Sequence, residues 1–177
     1  MSPPLYWIDA SWPGRLAITA RPRGDDWLEG EIEGWKRSEV DVVVSLLTTG
    51  EVQDLALKNE SSLCEAHGIR FLSFPIEDRD VPASQSQATS FLRNLREILD
   101  SGRNVAIHCR QSVGRSGLIA AALLIAKGET AEEAIQHISD VRGLTVPETA
   151  AQRQWLAQFS KAVSSPDSGI LRISPPA

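Results

Sequence analysis

The sequence predicts an α/β fold, in which a single domain has a mainly parallel central sheet flanked by helices. The length of 177 residues suits one domain around one core. Short apolar segments alternate with longer segments of helical periodicity, which is typical of a parallel sheet covered on both faces. No internal repeat or linker interrupts this alternation, so we expect one folded domain over residues 1–163. The Ser- and Pro-rich residues 164–177 are predicted to form a flexible tail.

The N-terminal elements are predicted to be two short strands and a helix. Residues 5–8 and 16–19 are apolar runs on either side of a Trp-Pro-Gly turn, as expected of two strands. Asp25 or Asp26 can cap a helix that continues to about Arg37. The apolar residues of this helix fall on one face, and they are Trp27, Leu28, Ile32 and Trp35.

The middle of the chain continues the alternation. Residues 41–47 are nearly all apolar and rich in valine, which predicts a strand buried on both faces. A polar, helical stretch is expected over residues 51–67, and residues 69–74 are predicted to form another strand. Residues 76–83 have the composition of a loop. Residues 84–100 predict an amphipathic helix, with Phe91, Leu92, Leu95, Ile98 and Leu99 facing inward.

The C-terminal elements are one strand and three helices. Residues 104–108 predict a short buried strand, and the strongly apolar residues 118–126 predict a central helix. Thr130 is expected to cap a helix that ends near residue 141. Pro147 suits the first turn of a last helix, which includes Trp155, Leu156 and Phe159.

The bulk composition argues against several classes of partner. The net charge of -5 and the pI of about 5.2 argue against nucleic acid or an anionic membrane surface. No segment approaches the ~18 apolar residues of a membrane span, and the N-terminus lacks the basic and apolar stretches of a signal peptide. The chain has two cysteines, Cys64 and Cys109, so we expect a reducing, cytoplasmic setting. A monomer is the default expectation.

The chemistry is predicted to lie in residues 108–116, between the strand over residues 104–108 and the apolar helix. Open α/β sheets bind ligands beyond the carboxyl end of a strand and at a helix N-terminus. The segment between Cys109 and Arg115 is long enough to curl around one phosphate, with its N–H groups pointing inward. The helix N-terminus and Arg115 both favour a negative sulfur, so Cys109 is expected to be a thiolate nucleophile. The predicted phosphate-binding residues are Arg110, Gln111, Ser112, Val113, Gly114 and Arg115.

The alternative interpretation is a buried structural cysteine at a strand end, with Arg115 paired to surface carboxylates. A cysteine and an arginine at this spacing mean little alone. The stricter combination of His108, Cys109, Arg115 and Ser116 within a strand–loop–helix context favours the functional interpretation.

This loop resembles that of the protein tyrosine phosphatase superfamily, which carries His-Cys-x5-Arg-Ser/Thr. Residues 74–82 resemble the general-acid loop of its compact dual-specificity-like branch, which includes bacterial and archaeal members. The resemblance extends from about Leu16 to Phe159. It implies a phosphatase catalytic domain with the α/β fold of that superfamily. It also implies metal-independent hydrolysis of phosphate monoesters through a phosphocysteine intermediate, with no cofactor.

The resemblance assigns a role to each matching residue. Asp78 takes the position of the general acid, and Asp80, two residues further on, is the alternative acid on the same loop. An acid is needed because an aryl or alkyl oxide leaves poorly unless it is protonated. The other roles are Cys109 as nucleophile, Arg115 on the phosphate oxygens, Ser116 as the hydroxyl that bonds the sulfur, and His108 as a support that orients the cysteine.

Other positions match the superfamily less closely. Ser112 stands where glycine is common, and we interpret it as a tolerated variant. Gln152 matches the second glutamine of an element that many members place near the attacking water, whereas Glu148 replaces the first. Cys64 is expected to be a buried structural thiol, and the alternative is a protective disulfide with Cys109. Three arginines could attract anionic substrates at the rim, namely Arg21, Arg23 and Arg79.

The sequence is compatible with four candidate functions. The first is a phosphatase acting on phosphotyrosine in proteins, with or without phosphoserine and phosphothreonine. The second keeps the chemistry but acts on a phosphoinositide, a nucleotide or another small phosphate ester. The third is a phosphate-binding module without turnover, and the fourth is a rhodanese-type sulfurtransferase. Lipid-directed relatives often carry extra lysines in the loop, whereas Arg110 is the single added charge here, which favours protein phosphate.

Overall fold

A five-stranded sheet forms the centre of the computed structural model, which describes residues 2–165. The strands are β1 (Tyr6–Ile8), β2 (Leu16–Ala20), β3 (Val42–Ser45), β4 (Arg70–Ser73) and β5 (Val105–Cys109). Their order across the sheet is β1-β2-β5-β3-β4. β1 pairs antiparallel with β2, and all the other pairs are parallel. The predicted mainly parallel sheet is therefore confirmed.

Seven α-helices accompany the sheet within the described residues. They are α1 (Leu28–Arg37), α2 (Thr49–Asp54), α3 (Glu60–Ala66), α4 (Gln85–Asp100), α5 (Arg115–Lys127), α6 (Ala131–Arg142) and α7 (Ala150–Ser164). The stretch predicted as helical over residues 51–67 forms two short helices, α2 and α3. α7 includes Ser164, the first residue of the predicted tail, and residues 166–177 of that tail lie outside the described residues.

The start of α1 differs from the prediction. Asp25–Trp27 forms a 3-10 turn, and neither Asp25 nor Asp26 caps the helix with its side chain. The predicted inward position of Trp27 is wrong, because this side chain is 60% exposed. The Arg23 guanidinium lies 4.2 Å from the centre of its ring, so a cation–π contact covers the indole on the surface.

Side-chain caps define the starts of the later helices. Thr130 accepts a hydrogen bond from the Glu133 amide in a capping box at α6, as predicted. Thr149 and Gln152 form the same motif at α7. The helix begins there because these side chains satisfy its first amides. Pro147 consequently precedes α7, and its predicted place in the first helical turn is wrong.

Two apolar clusters pack on the two faces of the sheet. The larger contains α5, which is buried along nearly its whole length, together with Val105, Ile107 and Cys109 of β5. The smaller contains α1 residues, Cys64 and Ala106. β5 is buried at every position and lies between β2 and β3, so its carboxyl end opens at the middle of the sheet edge. Across residues 2–165, every helix is too short or too polar to cross a lipid bilayer.

Candidate active site

A loop at the carboxyl end of β5 surrounds a cavity near the sheet edge. Residues 109–115 run from the last residue of β5 to the first residue of α5. We call them the phosphate loop, after the phosphate that the sequence predicts they bind. The cavity has a volume of about 410 Å³, within the usual range for a small ligand. It is lined by Asp78, Arg79, Cys109, Arg110, Gln111, Val113, Gly114, Arg115 and Glu148. The structure therefore places the predicted nucleophile, arginine and acid around one cavity.

Cys109 lines this cavity, and its sulfur contacts the start of α5. Its Sγ is 3.4 Å from Ser116 Oγ, and both residues are buried. A hydroxyl at this distance can donate a hydrogen bond to a thiolate. The N-terminus of α5 adds the positive end of the helix dipole on the same side. This geometry suits a sulfur that carries negative charge.

The guanidinium of Arg115 is held by a fixed set of acceptors. Glu51 binds it with both carboxylate oxygens, at 2.7 Å to Nη1 and 2.8 Å to Nη2. Nη1 also donates to the Ile76 carbonyl at 2.9 Å, and Nη2 lies 3.3 Å from Asp78 Oδ1. Burial alone would lower the pKa of Arg115, but Glu51, Cys109 and Asp78 together raise it. Arg115 is therefore permanently charged, and its guanidinium is held in place where it can bind an anion.

Sequence reasoning missed Glu51, which anchors this arginine. Glu51 is the third residue of a capping box with Thr48 at the start of α2. The Thr-x-x-Glu spacing could have identified the helix start, but it carries no information about Arg115, 64 positions away. Partial burial would raise the pKa of the Glu51 carboxyl. Hydrogen bonds from Arg115 and Thr48, together with the positive charge of Arg115, outweigh burial and hold that pKa below its usual value of 4.5.

Replacing Glu51 by glutamine should make the free energy of unfolding depend less on pH in the acidic range. Because the folded-state pKa of Glu51 is lowered, its contribution is present above pH 4.5 and is lost as the pH falls through the folded-state pKa. Near neutral pH we expect Glu51→Gln to lower the free energy of unfolding by roughly 2 kcal/mol. The difference from the original protein should shrink well below pH 4.5. Urea unfolding at both pH values measures this.

Glu133→Gln is the matched control for this experiment. Glu133 occupies the same capping-box position in α6, where it bonds Thr130 and no arginine contact is present in the described residues. We expect its replacement to have a small effect. Equal losses for the two variants, or a Glu51→Gln loss that does not change with pH, would contradict the assigned role of the Arg115 pair.

The acid loop, residues 77–81, approaches the phosphate loop from the side of the cavity. The Asp78 carboxylate lines the cavity, contacts Arg115 and is 56% exposed, so it can exchange protons with solvent. Asp80 Oδ1 instead accepts a hydrogen bond from the Val81 amide at 2.8 Å, and Asp80 does not line the cavity. The geometry therefore favours Asp78 over Asp80 as the acid.

The His108 side chain lies on the face of the sheet opposite to the Cys109 side chain. Its Nε2 is 2.8 Å from Glu60 Oε1, and both side chains are almost fully buried. The imidazole stacks on Trp35, with ring centres 6.0 Å apart. No residue pattern pointed to Glu60, because its partner lies on a strand far along the chain. The two side chains lie beside the end of β5, where His108 can support the strand, and His108 does not line the cavity.

The middle of the phosphate loop has an unusual backbone. Ser112 adopts a positive φ of 60°, a conformation that favours glycine, and its buried Oγ has no hydrogen-bond partner within residues 2–165. Arg142 stabilises this turn with two hydrogen bonds and does not line the cavity. Its Nε donates to the Ser112 carbonyl at 3.0 Å, and its Nη2 donates to the Gln111 carbonyl at 3.3 Å. After Glu51 and Glu60, Arg142 is the third supporting residue that the sequence did not reveal.

The remaining predicted residues divide between the rim and more distant positions. Arg79 lines the cavity and pairs with Glu148, whereas Arg21 bonds the Pro22 carbonyl and Arg23 pairs with Glu31, away from the rim. Gln152 is fully buried between the acid loop and Gly114. Cys64 is free, and burial together with Glu60 and Glu65 raises the pKa of its thiol to about 12. It belongs to the cluster on the face away from Cys109.

Comparison with known proteins agrees with this geometry. A family model described as "Polymorphic toxin system, DSP-PTPase phosphatase" matches residues 20–129. The protein "Cyclin-dependent kinase inhibitor 3" of Rattus norvegicus is 30% identical over 134 residues. The match covers 75% of this chain and 63% of that protein, so the chain spans less than two thirds of its relative.

Solved structures extend the comparison to the fold. The crystal structure of Tk-PTP in the active form has a TM-score of 0.75 at 30% identity, and the match covers 91% of this chain and 99% of that one. A crystal structure of kinase associated phosphatase, with serine in place of its catalytic-site cysteine, has a TM-score of 0.85 at 23% identity. That match covers 93% of this chain and 98% of the other. At this lower identity, the second likeness supports the fold alone.

Proposed function

This chain belongs to the DSP-PTPase family of phosphatases, and from that premise we propose that it hydrolyses phosphate monoesters through a phosphocysteine intermediate. One observation supports this proposal above the others. The Cys109 sulfur, the Arg115 guanidinium and the Asp78 carboxylate border the same cavity, with Arg115 held by Glu51 and Asp78 free to exchange protons. A nucleophile, an anion ligand and an acid are the groups that this reaction needs.

The first step transfers the phosphoryl group to sulfur. The Cys109 thiolate attacks phosphorus, and the bond from phosphorus to the ester oxygen breaks. The Asp78 carboxylic acid gives its proton to the departing oxygen, so the product is a neutral alcohol or phenol. Arg115 and the loop amides bind the equatorial phosphoryl oxygens and stabilise the charge of the transition state.

The second step releases phosphate. The Asp78 carboxylate takes a proton from water, the water oxygen attacks phosphorus, and the phosphorus–sulfur bond breaks. Ser116 Oγ, 3.4 Å from Cys109 Sγ, stabilises the departing thiolate with a hydrogen bond. The net reaction consumes one water molecule and returns the thiolate and the Asp78 acid. Every role is assigned to a side chain, and the proposed reaction uses no metal or cofactor.

We propose a phosphorylated protein as the substrate, with phosphotyrosine preferred and dual specificity allowed. The relatives named above support this class. The rim also supports it, since the Arg79 charge is paired with Glu148 and Arg110 is the added cation of the loop interior. A substrate with several phosphates would call for more unpaired cations at the rim. We further propose a cytoplasmic location, because a reactive thiolate requires a reducing compartment, and a catalytic domain over residues 1–163.

A turnover panel tests the substrate class. The purified protein is offered phosphotyrosine, phosphoserine and phosphothreonine peptides, soluble phosphoinositides and nucleotides at equal concentration. The proposal expects the highest kcat/KM with a phosphotyrosine peptide. Preference for a phosphoinositide or a nucleotide would keep the chemistry and overturn the substrate, whereas binding without turnover of any ester would overturn the proposed activity.

Replacing Asp78 by asparagine should identify the acid. We expect kcat/KM for a phosphotyrosine peptide to fall by about 10²- to 10⁴-fold, the usual contribution of a general acid. Asp80→Asn is the matched control and should lose far less activity. If Asp80→Asn loses more activity than Asp78→Asn, the assignment is wrong.

A further inference from the structure

We propose that Gln152 is a positioning residue that holds the acid loop against the phosphate loop, and that it does not bind the attacking water. This inference rests on the proposed phosphatase function and assigns one of its supporting residues. It departs from the role that the resemblance gave Gln152 in the sequence. Three independent observations lead to it: the state of the Gln152 amide, the contacts from α7 to the acid loop, and the packing on Gly114.

Both ends of the Gln152 amide are already engaged within the protein. Oε1 accepts a hydrogen bond from the Thr149 amide at 3.1 Å, which completes the capping box of α7. Nε2 donates to the Asp80 carbonyl at 3.0 Å. The residue is 0% exposed. A water-binding residue must present a free polar atom to the cavity, and Gln152 does not line it.

Three residues at the start of α7 and just before it contact two consecutive residues of the acid loop. Glu148 pairs with the Arg79 side chain, and Thr149 Oγ1 donates to the Arg79 carbonyl at 3.4 Å. The Gln152 bond to the Asp80 carbonyl is partly buried, whereas the other two contacts are exposed. Arg79 adopts a positive φ of 64°, which is costly for a residue with a side chain. The loop therefore relies on outside contacts to keep this shape, and α7 supplies them.

The same side chain also contacts the phosphate loop. A methyl group added at Gly114 would lie 3.1 Å from Gln152 Nε2 and 3.2 Å from its Oε1, so any larger residue would push the amide away by a few tenths of an ångström. The φ of Gly114 is -91°, which any residue can adopt. The glycine at position 114 therefore favours this close approach and is not required by the backbone conformation. Gln152 consequently sets the spacing between the loop that binds phosphate and the loop that carries Asp78.

Gln152→Glu is the sharpest variant for testing this role. Glutamate keeps the size and the capping oxygen, and it is the usual residue at this capping-box position. It replaces the donor to the Asp80 carbonyl with an oxygen that repels that carbonyl. Gln152→Ala is the second variant, which introduces no buried charge if the first does not fold. Glu133→Ala, in the equivalent capping box of α6, controls for the loss of a helix cap.

The readout compares two aryl phosphates, one with an activated leaving group and one with a poor leaving group. Only the first step contributes to kcat/KM when phosphoryl transfer to the cysteine is irreversible, and only a poor leaving group depends strongly on Asp78. We expect Gln152→Glu and Gln152→Ala to lower kcat/KM about tenfold for the poor leaving group and about twofold or less for the activated one. Glu133→Ala should change neither.

Each other outcome overturns the inference. A lower kcat with unchanged kcat/KM, together with a burst of leaving group, would show that Gln152 acts on water in the second step. Equal losses with both leaving groups would show a general structural effect, and unchanged rates would show no role. Failure of the proposed function is distinguishable, because the unmodified protein would then hydrolyse neither ester.

Discussion

Replacing Cys109 by serine is expected to abolish turnover, with a loss of at least about 10⁴-fold in kcat. A serine hydroxyl is a far weaker acid than a thiol, so the helix dipole and Arg115 cannot produce an alkoxide at neutral pH. Within residues 2–165, the side chain that lies within hydrogen-bond distance of this position is the Ser116 hydroxyl at 3.4 Å, which is no base. Steady-state assay with p-nitrophenyl phosphate measures the loss.

Binding should survive this change, which separates chemistry from recognition. Arg115 stays paired with Glu51, and the loop amides are unchanged, so Cys109→Ser should still bind a phosphorylated peptide in calorimetry. Cys64→Ala is the matched control, since it removes the other cysteine from the opposite face of the sheet and should leave kcat unchanged. Near-normal turnover by Cys109→Ser would rule out the phosphocysteine mechanism.

Replacing Arg115 by lysine is expected to lower kcat/KM about 10³-fold, at the upper end of the loss from removing one transition-state donor. Lysine keeps the charge but cannot bind two oxygens of one phosphoryl group in a plane. It also cannot satisfy both oxygens of Glu51 and the Ile76 carbonyl together. The substitution therefore removes geometry rather than charge.

Arg142→Lys makes the same exchange outside the cavity. Arg142 bonds the carbonyls of Gln111 and Ser112 and does not line the cavity, so we expect its replacement to lower kcat/KM less than about tenfold. Comparison of kcat/KM for the two variants with one phosphotyrosine peptide measures the difference. Similar losses would mean that shaping of the loop, and not direct contact with phosphate, explains the effect at Arg115.

The sequence was informative where local patterns determine structure. The apolar run before Cys109 and the apolar helix after Ser116 predicted a strand, a loop and a helix, and the structure places β5 and α5 there. Thr130 was predicted as a cap, because the preference for a threonine oxygen at a helix start is local. The spacing of Cys109 and Arg115 predicted a cavity lined by both.

The errors and omissions have physical reasons. Pro147 suits a first helical turn, but Thr149 and Gln152 satisfy the helix amides three residues later. Trp27 continues the apolar periodicity of α1, but the chain there forms a 3-10 turn that changes the direction of the side chain. Glu51 and Glu60 were missed because their partners, Arg115 and His108, are brought near by the sheet and not by sequence spacing.

The position of the two cysteines on opposite faces of the sheet has a consequence for oxidative inactivation. A thiolate nucleophile that meets peroxide becomes a sulfenic acid, which is recovered when a nearby thiol attacks it. Cys64 cannot reach Cys109 without opening the sheet, and the chain has no third cysteine. Recovery must then come from a thiol of another molecule, such as glutathione. Where that supply is slow, oxidation continues to the sulfinic acid, and the loss of activity becomes permanent.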